Sequence, residues 1–147
     1  MKRTHYCGSL RASDIGAAAS VCGWVVAKRD MGGVIFIDLR DREGVLQTVF
    51  DLKNLTQEQF RIAQGLKNQS VVCIEGVMRR RDAQTYNPKI ETGEVELEAY
   101  GVQLLSAAAP LPFSPEDETV REEMRLKYRY LDLRSTRMQR NLKFRYQ

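Results

Sequence analysis

Several residues in this sequence are placed to hold a flat, anionic ligand without bonding to it covalently. Phe36 lies in the run Val34 to Arg40, whose alternation puts Ile35, Ile37 and Leu39 on one face and Val34, Phe36, Asp38 and Arg40 on the other. An aromatic ring among charges either stacks on an unpaired base or is covered by the turn before its strand. Arg79, Arg80 and Arg81 end a later apolar run, and Arg79 and Arg81 share a face if the strand continues. They either track phosphates or form a solvated strand end. Lys28 and Arg29 close an earlier run beside the same surface, and Gln47 and Thr48 add polar groups on a third. Glu96 alternates with apolar residues in Gly93 to Ala99. A carboxylate there either accepts the N1–H and N2–H of a guanine edge or joins Glu94 and Glu98 on a solvated face. Asp38, Arg40, Asp41, Arg42 and Glu43 alternate in sign and read as a cross-strand ion-pair ladder, each exposed pair contributing roughly 0.2–1 kcal/mol at most.

Covalent chemistry finds no support. The chain has 147 residues and one histidine, His5, near its start. That excludes a zinc site built on several His and disfavours a Ser-His-Asp or Cys-His centre. Phosphate-cradling GxxxxGK[ST], HExxH and GxSxG motifs are absent. Cys7, Cys22 and Cys73 are odd in number and widely spaced, so they are expected to be reduced, mostly buried thiols. A formal net charge of +4 permits a nucleic-acid partner. No apolar run approaches the ~20 residues of a membrane span, and the first ten residues lack the apolar core of a signal peptide. The expected location is the cytoplasm.

The elements that must position these residues follow from periodicity and turn chemistry. Val21 to Arg29, Val34 to Arg40 and Val45 to Phe50 form a predicted three-stranded meander with turns at Met31-Gly32-Gly33 and Asp41 to Gly44. Leu55 to Leu66 reads as a helix, with Thr56 and Gln59 at capping-box spacing. Val71 to Met78 and Glu94 to Leu105 supply a fourth and a fifth strand, joined by a polar loop. The order β-β-β-α-β-β is that of an OB-fold, a mainly β, five-stranded Greek-key barrel whose strands 2 and 3 and loops 1–2 and 4–5 bind oligonucleotides. Phe36, Gln47 and the arginine run fall on that expected surface. Residues 1–105 are therefore assigned to the barrel and 106–118 to a proline-containing linker. Residues 119–147 are assigned to a basic helical segment, with Thr119 and Glu122 at capping-box spacing and Leu126, Tyr130 and Leu133 as an apolar stripe. The helical pattern continues to Gln147, which reads as part of a longer protein rather than a frayed natural end.

Cys22 to Gln47, Thr92 to Ala99 and above all Arg125 to Arg134 (RLKYRYLDLR) resemble bacterial-type aspartyl-tRNA synthetases. These are class II enzymes of the subgroup that includes the lysyl and asparaginyl enzymes. The resemblance implies an N-terminal OB domain that grips the tRNA anticodon. It implies that Phe36 stacks on the middle anticodon uracil and that Gln47 contacts that base. Arg29, Arg79 and Arg81 would contact the anticodon arm, and Glu96 would recognise a guanine-type first base. For a full-length enzyme it implies ATP-dependent attachment of aspartate to tRNA-Asp, with tRNA-Asn as a second substrate in some members. ATP, Mg²⁺ and a homodimer interface belong to the family's catalytic domain, which follows the RYLDLR helix. This chain, without the class II motifs, is expected to be inactive alone and to carry no cofactor or metal. The alternatives are a free-standing OB module for single-stranded nucleic acid and an OB domain that binds protein.

Overall fold

The computed structural model describes residues 1–147. Five strands form a closed barrel in the order β1-β2-β3-β5-β4: β1 (Ala18–Asp30), β2 (Val34–Arg40), β3 (Val45–Asp51), β4 (Val71–Arg80) and β5 (Val95–Ser106). All neighbours are antiparallel except β3 and β5, whose parallel pairing closes the barrel. The expected mainly β, five-stranded OB architecture is therefore the observed one. β1 serves two partners. Its first half pairs with β4 and its second with β2, and a register shift between Val25 and Ala27 interrupts the pairing with β2. Gly32 and Gly33, at φ 67° and 91°, supply the left-handed backbone of the β1–β2 turn.

The alternation read from β2 holds at every position. Ile35, Ile37 and Leu39 are fully buried, while Phe36 and Asp38 are half-buried on the outer face. Leu46, Phe50, Val72, Ile74, Met78, Val95 and Leu97 complete the barrel interior. Burying each large side chain contributes roughly 1.5–3 kcal/mol. The helix α1 (Gln57–Gly65) begins at Thr56, whose hydroxyl accepts the Gln59 N–H at 3.2 Å. Its Phe60 and Ala63 join the core, and it packs against β3 and β5.

Three expectations are corrected. The first concerns the cysteines: Cys22 and Cys73 form a disulfide, and only Cys7 is a free thiol. They are 51 residues apart in sequence, but antiparallel pairing of β1 with β4 sets them directly opposite, with Cα atoms 4.2 Å apart. The second concerns the residues before β1, a lead-in for which no core role is predicted. Cys7 and Leu10 are fully buried in the core, and burial, followed by the nearby Asp41, raises the Cys7 pKa. Gly8 passes so close to the β2–β3 turn that an added Cβ would lie 2.1 Å from the Glu43 carbonyl. The third concerns the helical segment. Thr119 does not cap a helix; its N–H and hydroxyl donate to Asp117 at 2.9 and 2.6 Å. The helix α2 (Glu122–Lys127) starts later without a side-chain cap. A break at Tyr128 separates it from α3 (Arg129–Asp132); Leu126 and Tyr130 are exposed, and Leu131 is the buried apolar residue.

The chain divides into two compact units, Met1–Ala108 and Ala109–Gln147. Within the second, Phe113 meets Tyr128 edge to face, and Glu116 accepts the Thr136 N–H at 2.9 Å. Ser135 caps the helix α4 (Thr136–Tyr146) by accepting the Met138 N–H. No helix is long and apolar enough to cross a membrane.

Candidate nucleic-acid interface

Strand register assembles the candidate residues into rows on the outer face of the first unit. Asp38 of β2 lies opposite Gln47 of β3, Gln47 opposite Glu96 of β5, and Glu96 opposite Arg79 of β4. The adjacent row runs Arg29, Phe36, Val49, Glu98 and Val77. Outward side chains of successive strands therefore stand side by side across the sheet.

Hydrogen bonds join the polar members into one network. The Arg29 guanidinium donates to both Asp38 carboxylate oxygens at 3.2 and 3.3 Å and to Gln47 Oε1 at 3.2 Å. Gln47 Nε2 donates to Glu96 Oε2 at 2.8 Å. Arg79 Nε donates to Glu96 Oε1 at 3.0 Å, and a second Arg79 nitrogen meets Glu98 at 3.3 Å. Asn54 closes the series on Glu98 at 2.8 Å. The orientation of the Gln47 amide follows from its neighbours, because a guanidinium only donates and a carboxylate only accepts.

Glu96 is therefore not part of a solvated strand face. It is buried, held from both sides, and still has acceptor capacity on each oxygen. Phe36 stands beside the network, half-buried, across from Arg29. The predicted residues Arg29, Phe36, Gln47, Arg79 and Glu96 are thus brought together.

Arg81 behaves differently. β4 ends at Arg80, and Arg81 turns inward, donating from Nε to the Val95 carbonyl at 3.2 Å and from a terminal nitrogen to the Thr85 carbonyl at 3.1 Å. Burial lowers its pKa, while the fields of Asp38 and Glu96 oppose that shift. Its guanidinium ties the β4–β5 loop to the start of β5. Lys28 is also diverted, donating to the Gln64 carbonyl of α1 at 2.6 Å. The members of the sign-alternating run have different kinds of partner, and Arg42 pairs with its neighbour Glu43 at 3.0 Å. Asp38 pairs across to Arg29, whereas Asp41 accepts the backbone N–H groups of Cys7, Glu43 and Gly44 at 2.5, 2.9 and 3.3 Å. Glu98 was visible in the strand alternation as a companion of Glu96; Asn54, in a turn after β3, carries no sequence signal that marks it.

No group of three or more His, Cys, Asp or Glu side chains converges to hold a metal ion. What the face can do is noncovalent. It combines an aromatic edge, a preoriented carboxylate and partly exposed arginines, the set required to stack and read an unpaired base beside its phosphates.

Known proteins share the sequence and fold of this unit. The family model described as an OB-fold nucleic acid binding domain, of tRNA-anticodon type, matches residues 19–105. The aspartate–tRNA(Asp/Asn) ligase of Thermotoga maritima is 54% identical over 146 residues, covering 99% of this chain and 24% of the relative. The chain therefore spans about a quarter of the length of the curated relatives it matches. Among solved structures, the aspartyl tRNA synthetase from Entamoeba histolytica superposes with a TM-score of 0.82 at 20% identity, over 94% of this chain and 33% of that one. Asparaginyl-tRNA synthetase from Pyrococcus horikoshii gives 0.77 at 24% identity, over 92% and 29%. These two likenesses concern the fold. The family match takes in all of the barrel except its first and last strand residues, more than half of the chain, so the chain belongs to the OB-fold nucleic acid binding domains of the tRNA-anticodon family.

Proposed function

We propose that this chain is the anticodon-binding part of an aspartate–tRNA ligase and that its outer barrel face reads the anticodon loop of tRNA-Asp. The observation that carries this reading is the cross-strand network of Arg29, Asp38, Gln47, Glu96 and Arg79 beside Phe36. In this reading Phe36 stacks on the middle base, a uracil, and Gln47 at the centre of the row contacts its edge. Glu96 accepts N1–H and N2–H from a guanine in the first position. An adenine would present an unprotonated N1 to the same carboxylate, which is repulsive. Gln47 and Arg79 keep Glu96 oriented before the RNA arrives, so little ordering remains to be done on binding. Arg29 and Arg79 supply phosphate contacts from their exposed ends, and Arg81 shapes the loop that flanks the first base.

The parent protein in this reading attaches aspartate to tRNA-Asp, with tRNA-Asn as a possible second substrate, and is a homodimer in the cytoplasm. ATP and Mg²⁺ would be held by its catalytic part. The residues of this chain do not fit either group: no acidic cluster converges, and no glycine-rich phosphate loop is present. The chain alone is expected to bind RNA and to catalyse nothing.

The test is titration of the 147-residue chain with a tRNA-Asp anticodon stem-loop and with the same hairpin carrying adenine in the first position. A preference for guanine of about tenfold or more, at fixed salt, is expected. Equal affinity for both hairpins would favour a free-standing, sequence-indifferent OB module. No salt-dependent binding to either would leave a protein-binding OB domain.

A further inference from the structure

The Cys22–Cys73 disulfide takes no part in the recognition rows. Val21, Val72 and Ile74 are core residues, so alternation turns Cys22 of β1 and Cys73 of β4 to the outer face of the barrel. The antiparallel ladder between these strands runs without a register shift from Ala18 opposite Val77 to Trp24 opposite Val71, and the two cysteines face each other inside it. Their Cα separation of 4.2 Å is close to the ~4.5 Å of a non-hydrogen-bonded pair, where facing side chains approach most closely. Backbone pairing on both sides therefore keeps the two sulfurs together whether or not they are bonded.

The sulfurs are not equivalent. Cys73 is 2% exposed, whereas Cys22 is half-buried. Exchange begins when a thiolate attacks an accessible sulfur, and Cys22 is the one nearer to solvent. Cys7 does not compete. It is fully buried in the core, and burial, followed by Asp41, raises its pKa.

We infer that Cys22–Cys73 is a thiol–disulfide exchange site, opened and closed through Cys22 by low-molecular-weight thiols such as glutathione, and that it works as a reversible staple on β1 and β4. On opening, a thiolate bonds to Cys22 Sγ, the Cys22–Cys73 bond breaks, and Cys73 Sγ leaves with the electron pair and takes up a proton. A second thiol then displaces Cys22 from the mixed disulfide. The pair gains two electrons and two protons, and two small thiols become one disulfide. The closed form links residues 51 apart in sequence, which restricts the unfolded chain. The open form keeps the strand ladder and loses that restriction. Neither step depends on what the outer rows bind.

The experiment uses the 147-residue chain purified without reductant. The native protein is equilibrated with glutathione and glutathione disulfide at graded ratios, quenched in acid and alkylated in denaturant. Mass spectrometry should find Cys7 alone alkylated at the oxidising end and all three cysteines at the reducing end, joined by one two-electron transition. Treated with glutathione disulfide, Cys73→Ser should gain one glutathione on Cys22, while Cys22→Ser should react at Cys73 at least about tenfold more slowly. The oxidised chain should melt roughly 10–30 °C above the reduced one. The double variant Cys22→Ser, Cys73→Ser should melt with the reduced form at every glutathione ratio. Three alkylated cysteines at the oxidising end would overturn the site, as would a bond that opens only in denaturant. Equal reactivity of Cys22 and Cys73 in the single variants would remove the role of Cys22, and equal melting of the two forms would remove the staple. The titration and the two melts of the unsubstituted chain decide the matter even where a variant fails to fold.

Discussion

Asp41 and Glu96 are carboxylates of nearly equal burial, 9% and 6% exposed, on the same barrel, yet their surroundings differ in kind. Asp41 sits at the β2–β3 turn and accepts three backbone N–H groups, one of them from Cys7 in the segment that precedes the barrel. Those donors are part of the chain path and cannot move aside. Glu96 accepts from two side chains, Gln47 and Arg79, the second of them 41% exposed. Side chains can rotate or share an acceptor when a ligand arrives; backbone amides locked in a turn cannot. Both satisfy the rule that a buried carboxylate must be hydrogen-bonded. The two carboxylates therefore differ in the identity of their donors rather than in burial, and under the proposed function that difference leaves Glu96 open to a ligand.

The largest expected effect tests the structural half of this comparison. Asp41→Ala should destabilise the chain by about 3 kcal/mol, because buried backbone donors lose a charged acceptor. A denaturant titration showing a loss under about 1 kcal/mol would mean the turn is satisfied by other means. RNA affinity of the folded variant should be unchanged.

Next is Phe36→Ala, which should cost about 2 kcal/mol of stem-loop binding and much less stability, since the ring stands on the outer face. A stability loss of about 3–5 kcal/mol in thermal melts would instead identify Phe36 as a core residue.

Glu96→Gln probes the exchangeable half directly. The amide offers one acceptor oxygen where the carboxylate offers two, so discrimination of guanine from adenine in the first position should shrink by about 1.4 kcal/mol. Stability should change less than in the Asp41 variant. Equal destabilisation by the two substitutions would erase the distinction drawn between them.

The smallest effect is expected for Arg79→Ala. Its partly exposed ion pairs should contribute less than about 1 kcal/mol to folding. The salt dependence of RNA binding should nevertheless flatten by roughly 0.7 in slope. An unchanged slope would reduce Arg79 to a holder of Glu96.

Much of this architecture is legible from local pattern. The period-2 alternation of Val34 to Arg40 assigns Phe36 to the outer face because successive strand side chains must point to opposite sides. The same parity assigns Glu96 and Glu98 to one face of β5. Thr56 announces the start of α1, since its hydroxyl needs only a backbone N–H three residues on. These features depend on neighbours within a few positions, and the order of elements then limits the fold to a small set of topologies.

The remaining features depend on which strands meet and in what register. Cys22 finds Cys73 only because β1 pairs with β4, and Glu96 finds Gln47 only through the parallel closure of β3 on β5. Asp41 becomes a structural group because Cys7, distant in sequence, delivers its N–H to the β2–β3 turn. Arg81 shows the limit of parity most directly: its spacing from Arg79 predicts a shared face if the strand continues, but β4 ends one residue earlier and the guanidinium turns to the Thr85 carbonyl of the following loop and the Val95 carbonyl at the start of β5. A periodic pattern specifies the direction of a side chain while the strand continues. Where the strand stops, and which long-range donor or acceptor then lies within reach, is set by closure of the barrel.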